Sequence, residues 1–325
     1  MNVIKGIAGN NFIVVGRVGM DLFPAPGVGI QDAASFTADM GGSSANIAAG
    51  IVKLGGKAAL LTRVSDDAVG RFCVNKLSHY GVGTGHVSVA GGEARNSLAL
   101  YESRVAGHQS VIYRNGAADF EMTVGDVEAV DFSQYSALVT AGTVFAAEPS
   151  RGAAFRAFEL ARAAGLPIIF DVDYRPYSWP SAQVAADVLS RAGDLSDVIV
   201  GNDDEFGFMA GGKELGQQKA RDLAASSAAI VVYKMGEHGA VTFADGAETR
   251  TGIYPVTAIK PTGAGDSFMA GMLSSIATGH DLESAVLRGS ACAAIVVAKP
   301  GCAPAMPYTA DLEDFIASHS GPTLS

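Results

Sequence analysis

The stretch "KPTGAGDSFMAGM", Lys260 to Met272, carries the most information in this chain. Gly263, Ala264 and Gly265 stand just before an apolar pattern in which Phe268, Met272, Leu273 and Ile276 recur at helical spacing, with Gly279 at its end. The spacing predicts a helix whose N-terminus opens on free backbone N–H groups and the positive end of the dipole, where an anion is favoured. Yet Asp266 is itself an anion. An isolated Asp in a first turn is an ordinary cap. Beside a glycine turn it has a second use. Phosphoryl transfer to an alcohol needs N–H donors for the moving charge and a proton acceptor for the attacking hydroxyl. The backbone of Gly263 to Asp266 offers the first, and the carboxylate the second.

Working outward, short apolar runs alternate with helical patterns. "NFIVVGRV", "AALLTRV", "SALVTAG", "LPIIFDVD", "SDVIVGN" and "AIVVYKMG" read as buried strands, and "SANIAAGIVKLGG" as a helix between two of them. The alternation predicts an α/β fold with a mostly parallel central sheet covered by helices on both faces. Residues 19–40, rich in Pro and Gly, and residues 86–116, with "NSLALYES" and "QSVIYRNG", break the rhythm. They read as a small sheet projecting from the main one, a lid within one domain spanning residues 1–325.

The 325 residues are 48% hydrophobic and 17% charged, enough for a large core and too apolar for a disordered chain. A formal charge of −10 argues against nucleic acid as a partner. Cys73, Cys292 and Cys302 form no C-x-x-C, so free thiols in the cytoplasm are expected. No apolar run reaches about 18 residues and no signal-peptide pattern opens the chain, so neither a membrane span nor a membrane partner is expected.

With "GGSSANIAAGIVKLGGKAALLTRVSDDAVG", Gly41 to Gly70, preceding "KPTGAGD", the chain resembles the ribokinase (PfkB) carbohydrate kinases over residues 10–310. The resemblance implies a ribokinase-like three-layer sandwich with a β-sheet lid, and ATP and Mg²⁺ as cofactors; the alternating lid strands, whose apolar side chains need cover, lead separately to the expectation of a homodimer through the lid. The resemblance makes Asp266 the catalytic base and Gly263, Ala264 and Gly265 the anion turn. Asp21, expected at the end of the first strand, and Gly41, Gly42 and Asn46 would contact the sugar. "NDDEF" would bring Asn202 and Glu205 to the metal through water. "KMGEHGA" would set Lys234, Gly236 and Gly239 beside the nucleotide phosphates, and Cys292 with its small-residue helix would flank the adenine, with simple core packing as the other use of that helix. One departure stands out: Lys260 occupies a position where the family usually has an Asp of a potassium site, so no potassium is expected.

"FDVDYRPYSWPS" and "VIYRNGAAD" resemble members acting on acidic sugars, such as 5-dehydro-2-deoxygluconate in inositol catabolism or 2-keto-3-deoxygluconate. Arg114 and Arg175 would then converge on a carboxylate, for which the guanidinium fork is suited. Pairing with Asp119 or Asp173 is the competing use of those arginines. Tyr101 and Tyr113 would stack over the sugar. A neutral-sugar kinase and a non-catalytic sugar-binding regulator remain as alternatives. A G-x-G-x-x-G after the first strand, a P-loop, H-E-x-x-H and G-x-S-x-G are all absent, which leaves dehydrogenase, P-loop kinase, zinc protease and esterase readings unsupported.

Overall fold

The computed structural model describes residues 3–104 and 107–323. Its strands are β1 (Asn11–Val15), β2 (Gly19–Phe23), β3 (Thr37–Gly41), β4 (Lys57–Ser65), β5 (Gly83–Ala90), β6 (Leu98–Tyr101), β7 (Ser110–Tyr113), β8 (Ala137–Ala141), β9 (Ile168–Asp171), β10 (Val198–Asn202), β11 (Ile230–Lys234), β12 (Ala240–Ala244) and β13 (Ala247–Thr251). The helices are α1 (Val3–Ile7), α2 (Ser43–Lys53), α3 (Ala68–His79), α4 (Val124–Glu128), α5 (Ser150–Ala163), α6 (Ala182–Asp194), α7 (Asp203–Ala210), α8 (Gly216–Ser226), α9 (Ala264–Ala277), α10 (Leu282–Val297) and α11 (Thr309–Ser318).

β1 shows why the strands read as unbroken apolar runs. Phe12 and Val14 enter one core, while Ile13 and Val15 enter the other. A strand buried on both faces has no polar side to alternate. The first core lies under α2, α3, α9 and α10, and the second under α5, α6 and α8. Between them runs a nine-stranded sheet, β13-β12-β11-β10-β9-β8-β1-β4-β5. It is parallel from β5 to β11, and β12 and β13 add an antiparallel edge. This is a three-layer α/β sandwich, as the alternation predicts.

The smaller sheet runs β3-β2-β6-β7, with β2 and β6 parallel and both outer pairs antiparallel. Two expectations need correction. Asp21 lies inside the lid strand β2; β1 ends earlier, at Val15, where Gly16 turns the chain out of the main sheet. Residues 86–90 belong to β5, which pairs with β4 at the edge of the main sheet, so they are not part of the lid. Among the described residues no helix is long and apolar enough to cross a membrane.

Candidate active site

The parallel strands end on one cleft of about 810 Å³, within the range of small-molecule sites. Arg17 follows β1, Thr143 follows β8, Asp173 follows β9, and Asn202 and Lys234 close β10 and β11. The C-terminal edge of an open α/β sheet is where such folds bind ligands.

α9 begins at Ala264, capped by Gly263 in the left-handed region (φ 84°). A side chain there would be strained, and its Cβ would lie 3.0 Å from Cys302 Sγ. The turn aims Gly263, Ala264, Gly265 and Asp266 into the cleft. The first N–H groups of a helix have no carbonyl within it. Lys234 stands above them: a Cβ built on Gly265 would be 3.4 Å from its Nζ.

Asp266 is pushed up to about 6, by burial first and then by the nearby Asp173 charge; the Asn46 hydrogen bond, Arg175 and Lys234 pull the other way. Asn46 Nδ2 donates to its Oδ2 at 2.8 Å and fixes the carboxylate. Asp21 is pushed up to about 7, again by burial, and its Oδ1 is buried without a partner. Gly41 is needed beside it, since a Cβ would fall 1.8 Å from Asp21 Oδ1. Gly41 thus shapes the site from behind, while Gly42 lines the cleft.

Asn202 and Glu205 cap α7 reciprocally: Asn202 Oδ1 accepts from the Glu205 N–H, and Glu205 Oε2 from the Asn202 N–H, each at 2.8 Å. Both residues line the cleft. Burial raises Glu205 above its ordinary range, with Lys234 and Arg175 opposing. Among the described residues no three His, Cys, Asp or Glu side chains converge to grip an ion. One buried carboxylate in the cleft wall, Glu205, suits a divalent ion held chiefly by phosphate oxygens and water.

Arg114 is buried and donates from Nη2 to Asp119 Oδ2 and to the Thr143 carbonyl. Its Nε and Nη1 have no partner. Arg175 pairs with Asp173 at 2.7 Å and approaches Glu205 at 3.8 Å. Both arginines face the cleft, and so does Tyr101. Tyr113 does not: the strand alternation of β7 turns it to the outer face of the lid, where it is 61% exposed, and its neighbour Ile112 faces inward. Cys292 is also misplaced by the sequence reading. It packs against Gly271 of α9, and Ser290, Ala293, Ala294 and Val297 of the same helix line the cleft instead. Gly236 and Gly239 line it as expected.

Two residues escaped the sequence reading. Arg17 is 6% exposed, lines the cleft and donates from Nη1 to Ser97 Oγ at 2.7 Å. An arginine two residues after an apolar core strand was the available signal. Asp171, the last residue of β9, is buried in the cleft wall, and burial pushes it well above the usual carboxylate range.

An N–H turn and a buried base side by side at one helix start, both aimed into the cleft, are the equipment of an alcohol phosphotransferase. The chain belongs to the pfkB family carbohydrate kinases, whose family model matches residues 10–309. It is therefore an ATP-dependent carbohydrate kinase. It is 36% identical to 5-dehydro-2-deoxygluconokinase of Geobacillus kaustophilus (strain HTA426), over 95% of this chain and 94% of the relative. The enzyme of the same name from Photobacterium profundum is also 36% identical, over 94% of each chain. Among solved structures, fructokinase with bound ATP from Xylella fastidiosa has the same fold, with a TM-score of 0.84 at 22% identity, covering 95% of this chain and 98% of that one.

Proposed function

We propose that the enzyme transfers the γ-phosphate of ATP to a terminal hydroxyl of a sugar acid, 5-dehydro-2-deoxy-D-gluconate. The observation that carries the acid is Arg114, a buried guanidinium with two unpartnered N–H nitrogens in the wall of the cleft, with Arg17 and Arg175 lining the same space. Buried donors without partners are costly, and a substrate carboxylate removes that cost. The names of the 36% identical relatives support the same substrate.

In this reading Asp21 and Asn46 hold the sugar hydroxyls through their unpartnered oxygens. Asp266, oriented by Asn46, takes the proton of the attacking hydroxyl. The first-turn N–H groups of α9 and Lys234 take up charge on the phosphoryl group. Mg²⁺, when bound with the nucleotide, shields the phosphate charge, and Glu205 and Asn202 would face it through water. Three free buried cysteines fit work in the cytoplasm. ADP release measured over a panel of sugars tests the assignment. The highest kcat/KM is expected with 5-dehydro-2-deoxygluconate. Faster turnover of 2-keto-3-deoxygluconate would reassign the acid, and faster turnover of fructose or ribose would reject the acid pocket.

The lid supports a homodimer. Register aligns Met20, Leu98 and Tyr113 in one cross-strand row and Leu22, Leu100 and Val111 in the next, all six on the outer face. Val111 and Tyr113 are exposed and the others half-buried. A continuous apolar sheet face needs cover, and a second copy of the same face supplies it. Sedimentation should give twice the chain mass, and Leu98→Glu should give the monomer. A wild type that sediments as monomer at micromolar concentration rejects the dimer.

A further inference from the structure

We infer that Lys260 is a positioning residue for phosphoryl transfer: its buried ammonium pins the Thr262 carbonyl inward and so turns the anion-binding N–H groups toward the cleft. The idea rests on the kinase reading of the α9 turn and adds a residue to it.

Lys260 is fully buried, the one charged side chain among the bulkiest buried residues described. Lysine is almost never fully buried without a partner. Its Nζ donates to the Thr262 carbonyl at 2.6 Å, and the backbone N–H groups of Ile259 and Lys260 both donate to the Val297 carbonyl at the end of α10. The residue is thus clamped between α10 and the turn. In a trans peptide the carbonyl and the following N–H point in opposite directions. With the Thr262 oxygen held toward Lys260, the Gly263 N–H points away from it. Pro261, Thr262 and Gly263 line the cleft and Lys260 does not, so that direction is toward the cleft.

The charge is otherwise badly placed. A cation near the N-terminus of a helix opposes the dipole. Burial also pushes the ammonium toward its neutral form, with Cys302 and Asp266 acting against this. Anions on the far side of the turn, Asp266 always and a phosphate when bound, offset both costs. Lys234 covers the cleft side of the same turn. The two lysines therefore flank it, one binding directly and one holding the backbone. Because this ammonium is part of the chain, turnover is expected to be independent of monovalent cations.

The test uses the whole enzyme, with ADP titrated calorimetrically in Mg²⁺ buffer and turnover followed by ADP release. Wild type should bind ADP and turn over equally in sodium, potassium and choline chloride at one ionic strength. Lys260→Met should weaken ADP and lower kcat by about tenfold or more, leaving the sugar KM within about twofold. In Lys260→Ala, ammonium or potassium should restore part of the loss and choline none. Potassium stimulation of the wild type overturns the inference. So does a Met variant that binds ADP normally, or an Ala variant whose loss tracks a lowered Tm and answers to no small cation. ADP binding by wild type separates the two claims: its absence sinks the nucleotide site itself, whereas binding with an unaffected Met variant sinks only Lys260.

Discussion

Asp266→Asn is expected to lower kcat by about two to four orders of magnitude, the usual worth of a general base, with the fold intact. The substitution is nearly isosteric, and its amide oxygen still accepts from Asn46. What it loses is the ability to take a proton. Wild-type kcat/KM should also fall about tenfold per pH unit below about 6, where Asp266 gains its proton. The stability sign runs the other way. The folded chain holds this proton more tightly than the unfolded chain, so ionised Asp266 opposes folding. That opposition is absent below about 4, grows through pH 6 and persists at neutral pH. The Asn variant should therefore melt no lower than wild type at pH 7. Near-normal kcat in a folded Asn variant would remove Asp266 from the mechanism.

The second large effect concerns Arg114. Removing one partner of a buried, hydrogen-bonded charge pair typically costs about 2–5 kcal/mol, so Arg114→Met should lower kcat/KM for the sugar acid by about thirtyfold or more. Asp119, itself buried, would be left unpaired by that change. The double variant Arg114→Met/Asp119→Asn removes the stray charge and isolates the substrate contact. A neutral sugar should be affected far less. Arg175 has a half-exposed side chain and already pairs with Asp173, so Arg175→Ala should cost only about tenfold on the acid. Equal losses for acid and neutral sugars in the double variant would make Arg114 a structural ion-pair partner, and equal losses in Arg175→Ala would do the same for Arg175.

The main sheet was legible because its strands are buried on both faces and leave continuous apolar runs. The glycine turn and Asp266 were legible because backbone chemistry at a helix start is local. Side-chain direction was less so. Tyr113 and Cys292 sit on the right elements and point the wrong way, one through the parity of a four-residue strand and the other through the phase of α10. A shift of one residue reverses a strand face, and no composition signal marks it. The β12–β13 hairpin passed unnoticed because its outer strand "AETRT" is largely solvent-facing and short on apolar residues. Arg114 and Arg175 show a different limit: the sequence offers them both carboxylate neighbours and a substrate, and the structure contains both uses at once.

The parallel pairing of β2 with β6 has a consequence for how the enzyme is born. Strands paired in parallel cannot be joined by a tight turn. Here the chain between them runs through β3, α2, β4, α3 and β5, so the lid is closed by contacts some 80 residues apart in sequence, such as Met20 with Leu98. Pairings between distant segments form late, after the loops they close have been ordered by nearer contacts. The strand bearing Asp21 pairs with β3 nearby in sequence on one side, and with the distant β6 on the other. The wall that carries Asp21 therefore rests on one long-range pairing, and hydrogen exchange of β2 and β6 is expected to report the two strands as a single unit.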